Sequence, residues 1–570
     1  MSEFNQLLTK YADSIGNIPL PEYPRPTLAR DSFMNLNGKW DFGVCDSTEN
    51  AFFDREILVP YPPESLLSGI NEVFDENKTL AYKREFSLPD GFNRGRVILH
   101  FGAVDQVAEV FLNGNKLGSH VGGYAPFSFD ITEYLSENNV LTVFVRDNLS
   151  DLILPYGKQS RKRGGMWYTP ISGIWQTVWL ESVRENHIVS LDLPTTPECP
   201  VITAHFSAQN EDGTVTVSTP DGKLSFPLTD GKAEIKLDSP RLWSPEDPYL
   251  YEFEIVTESD TVRSYFALRS LEIKAVGSHQ RLCLNGKPYF FHGLLDQGHF
   301  SDGIFTPASV QCIESDILFA KSLGFNMLRK HIKVEHPYFY YLCDKLGMVV
   351  FQDMVNNGKY SFFFDTALPT VGLISRSDKK LHPDKRSRNA FLSHLDETAK
   401  LLKNHASICL WTIFNEGWGQ FDGDSAYKRL KELDPTRFID TASGWFRCSQ
   451  TDVDSRHIYF RKVKLKAKDK PLFLSEFGGY SYRVEDHVFN PDKAYGYGKC
   501  ESREEFVSSL RKLYENEIIP LAKDGLCASV YTQITDIEDE INGLITYDRA
   551  VMKVTPEEFA DIGEKLKIKE

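Results

Sequence analysis

The chain lacks any apolar run of about 18 residues, the length that a membrane-spanning helix needs. Its first 15 residues contain no basic stretch followed by an apolar one, so we expect neither a membrane span nor a secretory signal peptide. The nine cysteines are scattered, with no Cys-x-x-Cys pair and no zinc-like cluster. This usage favours a reducing compartment. We therefore expect a cytoplasmic protein without a metal site or cofactor.

Positive charge is also scarce. The 570 residues include 64 Lys and Arg against 80 Asp and Glu, a formal net charge of −16. Such a balance argues against nucleic acid and anionic membrane surfaces as partners. The only dense basic runs, at 158–163 and 461–470, are short and are interpreted as solvated loop faces.

Apolar and aromatic residues, by contrast, are plentiful. Hydrophobic residues make up 41% of the chain and aromatic residues 13%, enough to fill several cores. At a typical domain size of about 150 residues, the length predicts three to four domains. Many aromatic rings also suit sugar binding, although cores of β-rich domains account for most of them.

The most informative stretch is a short apolar run at 408–414, which ends in Asn415, Glu416 and Gly417. A run this short and continuous predicts a strand buried on both faces, as in a parallel sheet. Gly417 permits a sharp exit from the strand. Glu416 would then lie at the carboxyl end of the strand, where such sheets bind ligands.

The same pattern recurs at 472–475, which is followed by Glu476 and an aromatic-glycine segment. The two glutamates are 476 − 416 = 60 residues apart. This spacing fits about three strand–helix units. A single glutamate at a strand end is more often an ion-pair partner or a loop cap. Two carboxylates facing one cleft, however, are the groups that cleave glycosidic bonds.

The rest of the chain divides into three parts. Residues 1–184 are rich in short strands and turn signals, which predicts a jelly-roll β-sandwich. Residues 185–275 continue in short strands and predict an immunoglobulin-like sandwich. In residues 276–570, strands alternate with helices, which predicts a (β/α)8 TIM barrel. The eight candidate barrel strands are 289–291, 326–328, 348–351, 408–414, 438–440, 457–459, 472–475 and 528–531.

Helix signals fall between these strands. Thr306 followed by proline predicts a helix start, and Gly324 a helix end. Segments 387–404 and 502–519 have apolar residues three and four apart, as amphipathic helices do. A last helix is predicted to open at Thr555. On this count Glu416 ends the fourth strand and Glu476 ends the seventh.

An ordered set of motifs resembles glycoside hydrolase family 2 along nearly the whole chain. The set consists of segments 35–40, 82–84, 111–114, 122–127 and 172–175, which resemble the sugar-binding sandwich, and 243–251, which resembles the middle sandwich. The family consists of retaining exo-glycosidases, among them β-galactosidases, β-glucuronidases and β-mannosidases. The resemblance therefore implies sugar chemistry for the two glutamates.

By this resemblance, Glu416 is the acid/base and Glu476 the nucleophile, and Asn415 holds the 2-hydroxyl of the sugar. Arg329 and Tyr459 would support the nucleophile. The remaining sugar-site residues are His331, His457 and, as a stacking platform, Trp445. The acid must be protonated at rest, so we expect Glu416 in a drier place near a like charge. The nucleophile must stay ionised, with its pKa lowered by Arg329 and Tyr459.

The chain departs from the family pattern at points that select the sugar. Asp296 and Asp353 stand after the first and third strands in place of longer polar motifs, and are candidate ligands for sugar hydroxyls. The Asn-x-Lys run that family β-glucuronidases use for the substrate carboxylate is not visible after the eighth strand. Arg483 or Lys330 could supply a cation instead.

We therefore expect a retaining exo-β-glycosidase acting on a small glycoside or oligosaccharide, with a homo-oligomer as one candidate state of assembly. A β-galactoside is the first expectation for the substrate. A β-mannoside, a β-glucuronide and a furanoside are the alternatives on the same mechanism. A non-catalytic carbohydrate-binding protein is the alternative from another class, but a binder has no need of both carboxylates.

Overall fold

The structure, a computed structural model, describes residues 4–368, 378–382 and 384–568. Its first part is a sandwich of two antiparallel sheets, as predicted. One sheet contains, in spatial order, Arg55–Val59, Gly38–Cys45, Thr79–Phe86, Asn139–Arg146, Val107–Leu112 and Asn115–Val121. The other contains Phe33–Asn35, Val178–Val183, Arg96–Phe101 and Phe127–Asp130. Alternate residues of these strands are buried, because successive side chains point to opposite faces, and the inner ones form one core.

A second, smaller sandwich follows. Its sheets are Ile188–Asp192, Val201–Phe206 and Lys232–Glu234 on one side, and Gly222–Leu228, Gly213–Thr219, Tyr251–Thr257 and Thr261–Phe266 on the other. They enclose a separate core. This arrangement is the immunoglobulin-like sandwich expected for this region.

A hairpin connects the second sandwich to the third part. Leu271–Val276 pairs antiparallel with His279–Leu284, which in turn pairs with Lys287–Pro288. Leu282 and Leu284 pack with the interior side chains of the following sheet. The expected domain limit between residues 275 and 276 falls inside the first strand of this hairpin. The limits at 184 and 275 stay a prediction.

The third part is a nearly closed barrel of eight parallel strands. In chain order these barrel strands are Phe291–Asp296, Met327–Lys330, Val349–Asp353, Ile408–Asn415, Phe438–Ser443, Asp454–Ile458, Leu472–Phe477 and Leu526–Tyr531. The fifth and sixth strands are the two edges where hydrogen-bonded pairing stops. Every residue of the fourth strand is buried, which explains its apolar sequence.

All eight predicted barrel strands exist, but their limits differ from the prediction. The first begins at Phe291, because the chain before it still belongs to the hairpin, where the Tyr289 N–H donates to the carbonyl of Leu282. The sixth begins three residues earlier than predicted, at Asp454. The second, third and fourth strands run on to include Arg329, Asp353 and Asn415. Because these residues are polar, they resembled loop residues, and the sequence pattern placed the ends of the three strands too early.

Among the described residues, the α-helices of the third part are Val310–Ser322, Pro337–Leu346, Lys385–Leu402, Gly423–Leu433, Arg503–Leu513, Ile519–Lys523 and Pro556–Leu566. The predicted start at Thr306 is wrong, because the first helix begins at Val310, with Ser309 at the N-cap position. The Thr306 hydroxyl instead donates to the carbonyl of Trp175 in the first sandwich. The predicted capping at Thr555 is confirmed, with Glu558 completing the capping box. In the part of the chain that the structure describes, no helix combines the length and apolarity needed to cross a membrane.

Candidate active site

The two glutamates lie at the same end of the barrel. Glu416 directly follows the fourth strand, and Glu476 is the penultimate residue of the seventh. These are the positions expected from the sequence. Because all eight strands are parallel, their carboxyl ends open on one face, and side chains from distant segments meet there.

The backbone turns sharply at Glu416. This residue has φ of 53°, in the left-handed region that side chains with a Cβ rarely adopt. Its N–H donates to the carbonyl of Ser443, at the end of the fifth strand. Gly417 continues the turn with φ of 73°, and a Cβ at this position would lie 2.3 Å from the Phe446 ring. A strained residue held by its neighbours is characteristic of functional sites.

His457 lies between the two carboxylates. Its Nδ1 is 2.9 Å from Oε1 of Glu416, and its Nε2 is 3.6 Å from Oε1 of Glu476. Ser443 Oγ lies 3.0 Å from the same Nε2. One atom each of Glu416, His457 and Glu476 lies within 4.8 Å of the other two. The site therefore brings two carboxyl groups and an imidazole together around one small space.

The same three residues are the one group of acidic, histidine or cysteine side chains among the described residues that is close enough to hold a metal ion. The contact between His457 and Glu416 gives both atoms a hydrogen-bond partner without an ion. Carboxylate and imidazole ligands would suit several divalent metals.

Glu476 is held as an anion. Burial alone would raise the pKa of its carboxyl group, but electrostatic interactions with His457, Arg329, His331 and Lys158 lower this pKa to about 2. Arg329 Nη1 lies 3.1 Å from Oε1, and the Tyr459 hydroxyl donates to Oε2 at 2.6 Å. Arg329 and Tyr459 thus both contact Glu476, and their role in supporting a nucleophile stays a prediction.

Arg329 connects four groups at the barrel mouth. Besides Glu476, its guanidinium donates to Oδ1 of Asp353 at 3.0 Å, to Oδ1 of Asn415 at 2.9 Å and to the carbonyl of Ser475 at 3.0 Å. The arginine itself is fully buried. Because the guanidinium group is planar and its N–H donors point in fixed directions, it holds several acceptors in fixed positions relative to one another. Arg329 therefore orients both the nucleophile candidate and the asparagine next to Glu416.

Asp353 and His331 form a second layer of contacts. Nδ1 of His331 lies 2.6 Å from Oδ2 of Asp353, and both residues are buried. Burial, followed by the charge of Lys158, lowers the pKa of His331 despite the neighbouring carboxylate. Burial also opposes ionisation of Asp353, but Arg329 and His331 lower the pKa of this carboxyl group. Each carboxylate oxygen of Asp353 therefore contacts a protein side chain, Oδ1 that of Arg329 and Oδ2 that of His331.

Two aromatic side chains frame the site. Trp445 is half-buried, and its indole N–H donates to the carbonyls of Asp365 at 2.7 Å and Glu416 at 3.1 Å. Tyr459 stacks on Tyr497, with ring centroids 3.7 Å apart. Tyr497 was not predicted from the sequence, because it lies in an irregular segment without a strand or helix signal. Trp445 therefore contacts the backbone of Glu416, and Tyr459 contacts the carboxylate of Glu476.

Asp296 belongs to a different cluster. Its Oδ2 lies 2.7 Å from Nζ of Lys330, and Lys330 also contacts Glu335 at 3.0 Å. These side chains are buried behind the second strand. No contact joins Asp296 to either glutamate among the residues that the structure describes. Its place as a sugar ligand remains a prediction.

The first sandwich also reaches the barrel mouth, a possibility that the sequence left open. The run at 158–163 is not simply a solvated loop face. Arg163 pairs with Glu538 at 2.6 Å and with Asp539 at 2.5 Å, both after the eighth barrel strand. Tyr168 donates to Oε2 of Glu540 at 2.5 Å. The basic run at 158–163 and the acidic run at 536–540 carry opposite charges. This charge complementarity was the signal in the sequence that could have predicted their contact.

The relative exposure of the two glutamates differs from the sequence expectation. The side chain of Glu416 is 16% exposed and that of Glu476 is 6% exposed. Glu416 therefore does not occupy the drier place. It lies on the more exposed side of the site.

The cations that were candidates for binding a substrate carboxylate are both engaged elsewhere. Lys330 is buried between Asp296 and Glu335. Arg483 donates to Glu485 at 3.0 Å and to the carbonyl of Pro491 at 2.8 Å. Neither is presented to the two glutamates.

Comparison with known proteins gives sequence relatives at moderate identity. A β-galactosidase of Thermoanaerobacter pseudethanolicus is 26% identical over 432 residues, which are 70% of this chain and 53% of that protein. A β-glucuronidase of Streptococcus agalactiae is 24% identical over 520 residues, 80% of this chain and 84% of that protein. The chain thus spans about half the length of the first relative.

A solved structure shares the fold. The β-glucuronidase of Bifidobacterium dentium superposes with a TM-score of 0.73 at 18% identity, covering 94% of this chain and 98% of that one. At 18% identity, the similarity shows only that the two proteins share a fold.

Family models match each of the three parts in turn. The model of the glycosyl hydrolases family 2 sugar binding domain matches residues 59–182, and that of the family 2 TIM barrel domain matches residues 275–476. A third model, described as glycosyl hydrolases family 2, matches residues 186–269 between them. The TIM barrel match ends on Glu476. The chain belongs to glycosyl hydrolase family 2.

Proposed function

We propose that this protein is a retaining exo-β-glycosidase that removes a terminal β-linked sugar. The observation that carries the proposal is the group formed by Glu416, His457 and Glu476, with one atom of each within 4.8 Å of the others. Retaining enzymes place their two carboxyl groups about 5–5.5 Å apart, so that one can attack the sugar directly. Inverting enzymes leave room for a water molecule between more distant groups.

In the first step, the ionised Glu476 attacks C1 of the sugar. The bond from C1 to the leaving oxygen breaks, and Glu416 gives its proton to that oxygen. The product is a sugar ester of Glu476. A pKa of about 2 keeps Glu476 ionised at neutral pH. Arg329 and Tyr459 fix its two oxygens, which orients the carboxylate for attack.

In the second step, a water molecule attacks C1 and Glu416 takes its proton. The bond between C1 and Glu476 breaks, and both glutamates return to their first state. The greater exposure of Glu416 fits this step, because water must approach from its side. Arg329 occupies Oδ1 of Asn415, so the amide N–H groups of Asn415 are left for the sugar 2-hydroxyl.

The relatives support a β-galactoside and a β-glucuronide to a similar degree, since one is named a β-galactosidase and another a β-glucuronidase. A β-mannoside or a furanoside would use the same chemistry. The test is a panel of 4-nitrophenyl β-glycosides, with the anomer of the first product followed by NMR. Retention predicts that the β-anomer forms first.

The nucleophile assignment has a direct control. Glu476→Gln keeps the size of the side chain but removes the attacking charge, so activity should fall on the order of 10⁴-fold or more. Glu501→Gln changes a glutamate whose side chain is 77% exposed and should leave the rate unchanged. Wild-type protein that is folded and inactive on every sugar would favour a carbohydrate-binding protein instead.

A further inference from the structure

A loop of the first sandwich holds Lys158 at the barrel mouth. The N–H groups of Tyr156 and Gly157 both donate to the carbonyl of Asn356, just after the third barrel strand. A Cβ at Gly157 would lie 2.9 Å from the carbonyl oxygen of Ile332, the residue after His331. Only glycine fits at this close approach of two backbones. The position of Lys158 is therefore fixed against the second and third strands.

The other side of Lys158 faces the eighth strand. Its Nζ lies 5.8 Å from the ring centroid of Tyr168, and the Tyr168 hydroxyl donates to Glu540. Electrostatic interactions join Lys158 with Glu476, His331 and Glu540. Lys158 thus lies at the barrel mouth, between residues that follow the second strand and residues that follow the eighth, and within electrostatic reach of Glu476.

Lys158 differs from the other cations around the barrel mouth in having no counter-ion. Arg329, Lys330, Lys333 and Arg163 each contact one or more carboxylates. Among the described residues, no carboxylate oxygen lies within 4.0 Å of Nζ of Lys158, and no hydrogen-bond acceptor contacts it. Lys158 is half-buried, and its ammonium group still reaches solvent, so this cation is available to pair with an anionic group of a ligand.

We propose that Lys158 binds the carboxylate of a uronic acid in the sugar site, so that β-uronides are the preferred substrates. This inference rests on the proposed glycosidase function and names its substrate class. A uronide differs from the matching neutral glycoside only at C6, where a carboxylate replaces a hydroxymethyl group. The charge of Lys158 would therefore discriminate between two otherwise identical sugars.

Glu540 does not oppose this binding. Its Oε2 accepts the Tyr168 hydroxyl and its Oε1 accepts the amide of Asn542 at 2.9 Å. Burial raises the pKa of Glu540, whereas the charge of Lys158 and the two hydrogen bonds lower it. Glu540 therefore holds the Tyr168 ring beside Lys158, and both of its oxygens are engaged by protein donors.

The experiment compares matched substrate pairs. Wild type, Lys158→Met and Lys162→Met are assayed on 4-nitrophenyl β-D-galactoside against the galacturonide, and on the glucoside against the glucuronide. Lys162 is exposed on the same loop and serves as the control. Wild type should prefer one uronide over its neutral counterpart. Lys158→Met should lose about 10- to 100-fold in kcat/KM on that uronide, the value of a charged hydrogen bond, and little on the neutral sugar.

Several outcomes would overturn the inference while leaving the glycosidase proposal intact. One is preference for a neutral sugar in wild type. Another is an equal loss on both members of a pair in Lys158→Met, together with a shifted acidic limb of the pH profile. That result would mean that the lysine only keeps Glu476 ionised.

A binding measurement separates this inference from the proposed function. Free galacturonate and glucuronate are titrated into wild type and Lys158→Met by calorimetry, which needs no turnover. Binding of one uronate to wild type that is lost in Lys158→Met supports the inference even if no hydrolysis is found. The absence of binding by both uronates contradicts it.

Discussion

The guanidinium of Arg329 lies 3.1 Å from the carboxylate of Glu476, with both side chains buried. The same guanidinium contacts Asp353 at 3.0 Å and Asn415 at 2.9 Å. One residue from the second strand therefore orients groups from the third, fourth and seventh strands. Four measurements test this arrangement and its surroundings.

Arg329→Met leaves Glu476 and Asp353 without their shared cation. Breaking a buried ion pair by removing one partner typically costs about 3–5 kcal/mol, and we expect a loss of that size in the free energy of unfolding. Because Arg329 lowers the pKa of Glu476, the acidic limb of the pH–rate profile should move to higher pH. Denaturant unfolding and a pH profile measure the two effects. Arg386→Met, at a side chain that is 72% exposed, should change neither.

Protonation of Glu476 should destabilise the fold. Burial raises the pKa of its carboxyl group, but the surrounding cations bring it to about 2, below the ordinary 4.5. A pKa that is lower in the folded state contributes stability above pH 4.5, and this stability is lost as the pH falls toward 2. The shift corresponds to about 3 kcal/mol. The difference in unfolding free energy between wild type and Glu476→Gln should shrink between pH 6 and pH 3; a constant difference would contradict the assignment.

Asp296→Asn separates two roles for this residue. In the structure its carboxylate pairs with Lys330 at 2.7 Å, so the neutral amide should lower the free energy of unfolding by about 1–3 kcal/mol. KM should stay close to that of wild type if the ion pair is its main role. A large rise in KM with unchanged stability would instead establish Asp296 as a sugar ligand. Thermal unfolding and steady-state kinetics on the best substrate distinguish the two.

Gly417→Ala should disturb the turn that carries Glu416. Alanine in the left-handed region costs about 1–2 kcal/mol, and here its Cβ would also lie 2.3 Å from the Phe446 ring. Gly114→Ala is a matched control, because Gly114 has φ of 80° with nothing within 4 Å. In Gly114→Ala, the loss of stability should be limited to the cost of placing alanine in the left-handed region. Gly417→Ala should lose more stability and also kcat, and equal effects at both sites would argue against the clash.

Much of the fold followed from the sequence. Short apolar runs ending in Glu416 and Glu476 predicted buried parallel strands, because only strands covered on both faces are apolar throughout. Alternating patterns and turn residues predicted the two sandwiches. The positions of Arg329, Tyr459 and His457 at strand ends came from the family resemblance together with the strand count.

Strand limits were less predictable. The second, third and fourth strands continue through Arg329, Asp353 and Asn415, which are polar and therefore resembled loop residues. They are buried because their charges and amides satisfy one another across the barrel. Such mutual satisfaction depends on partners far away in the chain, which a local pattern does not contain.

The sequence by itself determined the order of the three parts, the barrel and the placement of the two glutamates at strand ends, because hydrophobic periodicity and strand ends are local properties. The tertiary structure decided which charges face the barrel mouth. Asp296 and Lys330 pair with each other behind the second strand, whereas Lys158 crosses from the first sandwich to the barrel mouth. The physical reason is that electrostatic interactions depend on distance in space, and the distance between two segments is set only when the whole chain has packed.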